Sequence, residues 1–371
     1  MSRYEVERMN TVVVGGGQSG LAVGYHLARR GLPFVILDAH HRVGDAWRTR
    51  WDSLRLFTPA SYDGLPGMRF PAPRTSYPTK DEMADYLEAY AQRFDLPVRT
   101  GVRVDALARV GDRFIVAAGD LRIEADNVVV AMSSDLKPWT PAFAAGLDPH
   151  IRQLHSYDYR RRTQLQAGDV LIVGAGNSGA DIAMDIVTEH TTLLSGRDTG
   201  HIPFPINRFT AGTGYHIVRF GFHHVMKADT RKGREMKEYF REGHGLPLVR
   251  VKPKHLARAG VQRVPRTVGV QDGLPMLEDD RVLDVANVIW CTGFRPDFSW
   301  IDIPAFDDDG ELLHTRGIVE THAGLYFIGL DFLYAASSGQ INGVGRYAAH
   351  VVKHLAARVA EGQARRAMTP I

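Results

Sequence analysis

The sequence predicts an α/β chain with two Rossmann-like dinucleotide-binding units. Three observations carry this reading. Two glycine-rich turns share the spacing G-x-G-x-x-G, one at Gly15, Gly17 and Gly20, the other at Gly174, Gly176 and Gly179. Each follows a short apolar run. Each opens a helical pattern that leads into a further apolar run, the order of a β-α-β unit.

Along the chain, residues 11–14 read as a strand. The helix after the first turn places Leu21, Tyr25 and Ala28 on one face and stops at Gly31. Residues 34–37 form the next strand, which ends in Asp38. Residues 43–78 read as loop, with many aromatics and prolines. Thr79 and Glu82 have capping-box spacing, and the helix they open runs to Phe94 with Ala84, Leu87 and Ala91 on its buried face. Residues 98–104, 114–117 and 121–124 read as strands, and 128–131 as a buried one. The second unit repeats the opening, with a strand at 170–173, a helix at 180–187 and a strand at 191–195. Residues 201–266 are less regular and hold fourteen Lys or Arg against four Asp or Glu. Residues 288–291 and 325–329 are buried-strand patterns, and 343–360 read as a helix. These last pieces return to the first unit. The division is therefore 1–150 with 281–371 for one domain and 151–280 for the other.

Composition narrows the function. The chain has 371 residues, 44% hydrophobic and 23% charged, which suits two globular units. A net charge of +3 gives no case for nucleic acid. The single cysteine, Cys291, excludes an internal disulfide, a Cys-rich metal site and a redox-active cysteine pair. It sits in an apolar run and reads as core. His40-His41 and His223-His224 lack partners at metal-ligand spacing, so no metal is expected. No apolar leader precedes Gly15, and no apolar run reaches spanning length, so a soluble, cytoplasmic protein is expected. Residues 215–225 alternate apolar side chains with His and Arg. A solvated face is preferred there over contact with anionic lipid. Oligomeric state stays open.

The turns carry the chemistry. Gly15 permits the tight turn, Gly17 a close approach of backbone to a pyrophosphate, and Gly20 close packing of helix on strand. The helix N-terminus, with Gln18 and Ser19, offers free N–H groups to phosphate. Asp38, 23 positions after Gly15, can accept hydrogen bonds from ribose hydroxyls. At the same offset from Gly174 stands Arg197, whose guanidinium can pair with a 2′-phosphate that a carboxylate would repel. The first turn therefore suits an unphosphorylated adenosine ribose and the second NADPH, and the larger, two-part first domain assigns FAD to the first. A nicotinamide that delivers hydride and a flavin that accepts it make an electron relay.

Further stretches resemble the flavin-containing monooxygenases, and most closely their short bacterial branch. They are the two turns, Cys291-Thr292-Gly293-Phe294, the 44–59 stretch from Gly44-Asp45 through Thr58-Pro59, Tyr77-Pro78-Thr79-Lys80 and the 195–201 stretch around Arg197. The resemblance covers nearly the whole chain. It implies an NADPH domain nested in a discontinuous FAD domain, and a small-molecule substrate oxidised with O2 at N, S or a carbonyl through a flavin C4a-(hydro)peroxide. It implies Trp47, Arg48 and Thr58 near the flavin, and Asn177 and Ser178 on the nicotinamide nucleotide. Gln340 and Asn342, in the 338–343 turn, either bond flavin or substrate or cap the last helix. Thr292, Gly293 and Asp331 join the cofactor candidates. The family's active-site Asn falls at Pro59, so an NADPH-dependent reductase stays open, as does a non-catalytic redox-responsive flavoprotein. His155 and Tyr159 survive from a longer family signature and read as packing.

Overall fold

The computed structural model describes residues 6–133, 137–202, 216–217, 219–242 and 244–368. Its elements run in the order β1 (Val6–Val14), α1 (Gln18–Ala28), β2 (Phe34–Leu37), α2 (Lys80–Arg93), β3 (Val98–Arg99), β4 (Ala106–Val110), β5 (Arg113–Ala118) and β6 (Leu121–Val130). They continue as β7 (Arg152–His155), β8 (Val170–Val173), α3 (Asn177–Ile186), β9 (Thr192–Ser195), β10 (Gln262–Val264) and β11 (Asn287–Trp290). The chain closes with β12 (Ile301–Asp302), β13 (Leu325–Phe327) and α4 (Ile341–Met368).

The first sheet is built on the parallel order β3-β2-β1-β6-β13. The front half of β6 also pairs antiparallel with β5, and β4 and β12 extend that wing. Two strands expected at 121–124 and 128–131 are thus one. Asp126 and Asn127 interrupt the apolar pattern without interrupting the backbone, because the buried Asn127 amide donates to the Asn10 carbonyl at 3.2 Å. Of the strand expected at 98–104, only Val98–Arg99 pairs in the sheet. Gly101 turns the chain at φ +71°, and the Val102 amide then bonds the Asp38 carbonyl at 2.8 Å.

The second sheet is fully parallel, in the order β10-β9-β8-β11-β7. It claims β11, which the division at residue 281 gave to the first domain. β11 is buried on both faces, and a continuous apolar run looks the same in any covered parallel sheet. The second unit therefore extends through Trp290.

The helix opened by Thr79 has the expected box. The Thr79 hydroxyl accepts from the Glu82 amide at 3.1 Å, and the Glu82 carboxylate accepts from the Thr79 amide at 2.7 Å. α4 packs on α1 and buries Val344, Ala348, Val351 and Leu355 against it. That contact fixes the start of α4 beside the first glycine turn. Among the described residues, no helix is long and apolar enough to cross a membrane.

Candidate functional site: two cradles on one cavity

The two glycine turns have nearly the same backbone. Gly15 has φ +107° and Gly174 φ +113°, values that L side chains rarely adopt. A Cβ on Gly20 would run into the Gly15 carbonyl, and one on Gly179 into the Gly174 carbonyl. The N-cap glycines, Gly17 and Gly176, share φ and ψ to within a degree, at −76°, −169° and −75°, −170°. Neither helix has a side-chain cap, so its first N–H groups are available to an anion. A Cβ on Gly17 or Gly176 would meet no atom within 4 Å, which leaves space for phosphate against each backbone.

The turns differ in what backs them. Asp38 is 8% exposed and accepts from the Gly16 amide at 2.5 Å. Its other oxygen accepts from the His40 amide at 2.7 Å and faces His40 Nδ1 at 2.9 Å. Burial raises its pKa, but these hydrogen bonds outweigh burial and hold the carboxyl below its ordinary range. In the second turn the same place falls to a glycine. The Gly15 amide bonds the Leu37 carbonyl at 2.8 Å, and the Gly174 amide bonds the Ser195 carbonyl at 2.9 Å. Leu37 therefore matches Ser195, and Asp38 matches Gly196. The second connection is one residue shorter, so equal offset pairs Asp38 with the wrong neighbour. Arg197 stands one place beyond and is exposed, outside the cavity lining. Gly196 has φ +142°, and a Cβ there would sit 2.9 Å from the Ala175 nitrogen. Arg263 on β10 donates to the Gly196 carbonyl at 2.9 Å.

Both turns open on one cavity of about 780 Å³. From the first turn Gly15, Gly17, Gln18, Ser19 and Asp38 line it, and from the second Asn177 and Ser178. Gly20, Gly174 and Gly179 shape the turns from beneath, and Gly176 faces open space outside this lining. The Gln18 amide donates to the Gly339 carbonyl at 3.4 Å, and its oxygen accepts from the Trp47 indole at 3.3 Å. The first turn, the Trp47 loop and the approach to α4 thus meet at Gln18. Gln340, Asn342 and Asp331 line the same chamber, as does Thr58, whose hydroxyl donates to buried Asp63.

Three further expected residues lie elsewhere. The Arg48 guanidinium turns away to the Val43 carbonyl at 2.7 Å, Asp45 at 3.2 Å, Asp85 at 2.9 Å and Glu88 at 3.1 Å. It is Arg50 that faces the cavity, over the rings of Tyr157 and Phe294. The Thr292 hydroxyl bonds the Trp139 carbonyl, and the Gly293 carbonyl accepts from the Trp139 amide at 3.0 Å and from His155 Nε2 at 3.1 Å. Those two residues pack a crossover between the sheets, where Phe294–Arg295 pairs antiparallel with Lys137–Pro138. Tyr159 donates to Asp185 at 2.7 Å, so His155 and Tyr159 serve packing. Burial pushes the Cys291 thiol up to about 12, far from a reactive thiolate.

Sequence reasoning missed Asp181, which lines the cavity and pairs with Arg250 at 2.7 Å. It lies four residues after Asn177 on the same helix face, a spacing that could have flagged it. Asn177 bonds Pro247 and Val249 through its amide, at 3.2 and 3.1 Å, and so clips the 246–249 loop to the cradle. No sequence signal pointed to that clip.

Paired dinucleotide cradles facing one chamber define an oxidoreductase with two nucleotide cofactors. Residues 12–201 match the family model described as pyridine nucleotide-disulphide oxidoreductase. An uncharacterized CzcO-like oxidoreductase of Geobacillus kaustophilus is 37% identical over 94% of this chain and 98% of its own length. A probable indole-3-pyruvate monooxygenase of Arabidopsis thaliana, YUCCA3, is 28% identical over 81% of this chain and 76% of its own. A solved flavin-containing monooxygenase from Stenotrophomonas maltophilia superposes with TM-score 0.76 at 29% identity, covering 95% of this chain and 99% of that one. The chain belongs to the flavin-containing monooxygenase family of the pyridine nucleotide-disulphide oxidoreductases, whose cofactors are FAD and NADPH.

Proposed function

We propose that this protein is an NADPH-consuming FAD monooxygenase that oxidises a small molecule at nitrogen, sulfur or a carbonyl. One observation carries the reading. Both phosphate cradles open on a single chamber that Gln340 and Asn342 also line, so a hydride donor and its acceptor can be held face to face. The open backbone at Gly17 and Gly176 fits two pyrophosphates. Gly15 through Gly20 and Asp38 would hold FAD, and Gly174 through Gly179 with Asn177, Ser178 and Arg197 would hold NADPH. When bound, FAD supplies a two-electron store that nicotinamide reduces and O2 reoxidises.

The chain's own side chains then bind and orient. Trp47 is tied to Gln18 and sets one wall of the chamber. Gln340 and Asn342 offer amides to flavin or substrate. Thr58 lines the chamber with its hydroxyl committed to Asp63. In balance, NADPH gives two electrons, one atom of O2 enters the substrate, and the other leaves as water.

Pro59 favours a second reading. It stands where the family carries an amide side chain and has no donor to offer. An enzyme that only passes electrons from NADPH to an acceptor is the consequence. Anaerobic NADPH should bleach the flavin under either reading. Isotope-labelled O2 then separates them. Label in an oxidised amine, sulfide or ketone supports the oxygenase. NADPH oxidation matched entirely by H2O2 across such a panel assigns the reductase.

A further inference from the structure

A second cavity, of about 440 Å³, opens beside the first and shares Ile341 and Asn342 with it. Its lining is cationic on one side, with Arg219 and Arg346 beside His216 and His224. Leu65, Pro66, Phe220 and Ile341 supply apolar surface. No carboxylate lines it among the described residues.

Neither guanidinium group has a carboxylate partner among the described residues. Arg219 lies over the Tyr62 ring, and its Nε donates to His223 Nε2 at 3.0 Å. Arg346 lies over the Tyr334 ring. Because Nε2 accepts, the His223 proton sits on Nδ1, which faces the Ser337 hydroxyl at 2.5 Å. Ser337 bonds Tyr347 in turn at 2.7 Å. The imidazole is neutral, and its pKa is lowered to about 4 by burial first and by Arg219 and Arg346 next. Asp63, which precedes the lining residue Gly64 in the chain, is fully buried, and burial raises its pKa to about 8.

We infer that this cavity is an organic-anion subsite. It takes a carboxylate on Arg219 and Arg346, and the ligand's apolar body lies along Ile341 toward the flavin chamber. The substrate class is then an amphiphilic carboxylic acid. That last step rests on the monooxygenase reading, whereas anion binding does not. A guanidinium without an ion pair, lining an acid-free depression, is the group that captures carboxylate with direction. The apolar wall adds affinity for the body in proportion to the area it covers.

The test uses the holoenzyme with saturating NADP+, which keeps the probe out of the second cradle. Calorimetry compares 1-naphthylacetate with 2-(1-naphthyl)ethanol, the same body without charge. The acid should bind about tenfold or more tightly than the alcohol, the scale of one charge-assisted hydrogen bond. Arg219→Gln and Arg346→Gln should each weaken the acid about tenfold and move the alcohol less than about twofold. Arg219→Lys should retain part of the preference. FAD content and anaerobic bleaching by NADPH, unchanged in each variant, report an intact fold. Equal affinity for the two probes, or variants that weaken both alike, overturns the subsite. Discrimination without label transfer from O2 sinks the oxygenase reading and leaves the subsite standing. Oxygenation of neutral amines or sulfides without discrimination does the reverse.

Discussion

The two phosphate cradles share a backbone and part company one residue beyond the following strand. In the first, Asp38 fills the space behind the turn and grips the Gly16 amide. In the second, Gly196 leaves that space to the backbone, with Ala175 nitrogen in the way of any Cβ. Turn geometry is therefore common property, because any pyrophosphate needs the same close approach. On the proposed reading, cofactor choice would lie in the residue behind the turn. A buried carboxylate would exclude an additional phosphate by charge, whereas a glycine beside Arg197 and Arg263 would admit one.

The strongest way to break the comparison is to give either cradle a Cβ it cannot hold. Gly20→Ala and Gly179→Ala each press a methyl into a carbonyl two residues before the N-cap. Both should lower soluble yield severely. What survives of Gly20→Ala should be colourless, while surviving Gly179→Ala should keep its flavin and fail to bleach with NADPH. Absorbance at the flavin band, before and after NADPH, reads both. Matching phenotypes in the two variants would show that the cradles do not serve separate nucleotides.

Next in size is Gly196→Asp, which rebuilds the first cradle's carboxylate in the second. The kcat/KM for NADPH should fall about a hundredfold, as a charge pair is replaced by repulsion. NADH should lose far less. Gly196→Ala is the control, because it carries the backbone strain of φ +142° without the charge. An equal loss for both nucleotides in Gly196→Asp and Gly196→Ala would assign the effect to strain alone.

Arg197→Ala comes third. Arg197 is exposed, so its contact with phosphate competes with water and salt. The expected loss is about tenfold in kcat/KM for NADPH with little change for NADH. Arg263 donates to the Gly196 carbonyl and should compensate in part, so Arg263→Ala added to Arg197→Ala should lose more than Arg197→Ala alone. Steady-state kinetics with each nucleotide decide the matter.

The cradles were legible because their chemistry is local. Glycine spacing, the strand before it and the carboxylate after it all fall within residues 11–38. Equal offset misaligns Arg197 because the second connection is one residue shorter, which the Gly15–Leu37 and Gly174–Ser195 hydrogen bonds reveal. β11 was legible as a strand but not as a member of the second sheet, since its apolar run carries no mark of its neighbours. Arg48 and Arg50 look alike in sequence, and the carboxylates Asp85 and Glu88, brought by α2, join Asp45 and the Val43 carbonyl in turning Arg48 away. Charge states were not legible at all.

Asp38 and Asp63 make that last point, and they set the smallest expected effect. Both are buried aspartates of the first unit. Asp38 has donors enough to stay ionised, whereas Asp63 receives only the Thr58 hydroxyl, and burial raises its pKa to about 8. An unfolded aspartate ionises near pH 4. Between about pH 4 and about pH 8 the folded chain keeps a proton on Asp63 that the unfolded chain has shed, so stability falls as pH rises through that window. Asp38 works the other way. Its depressed pKa contributes stability that is present above pH 4 and lost on acidification below it. Asp63→Asn keeps an acceptor for Thr58 and removes the ionisation. Its Tm should exceed the parent's by a few degrees at pH 9 and match it at pH 5. The same gap at both values would mean that Asp63 is ionised in the folded chain, and that the single hydroxyl of Thr58 suffices where Asp38 has three donors.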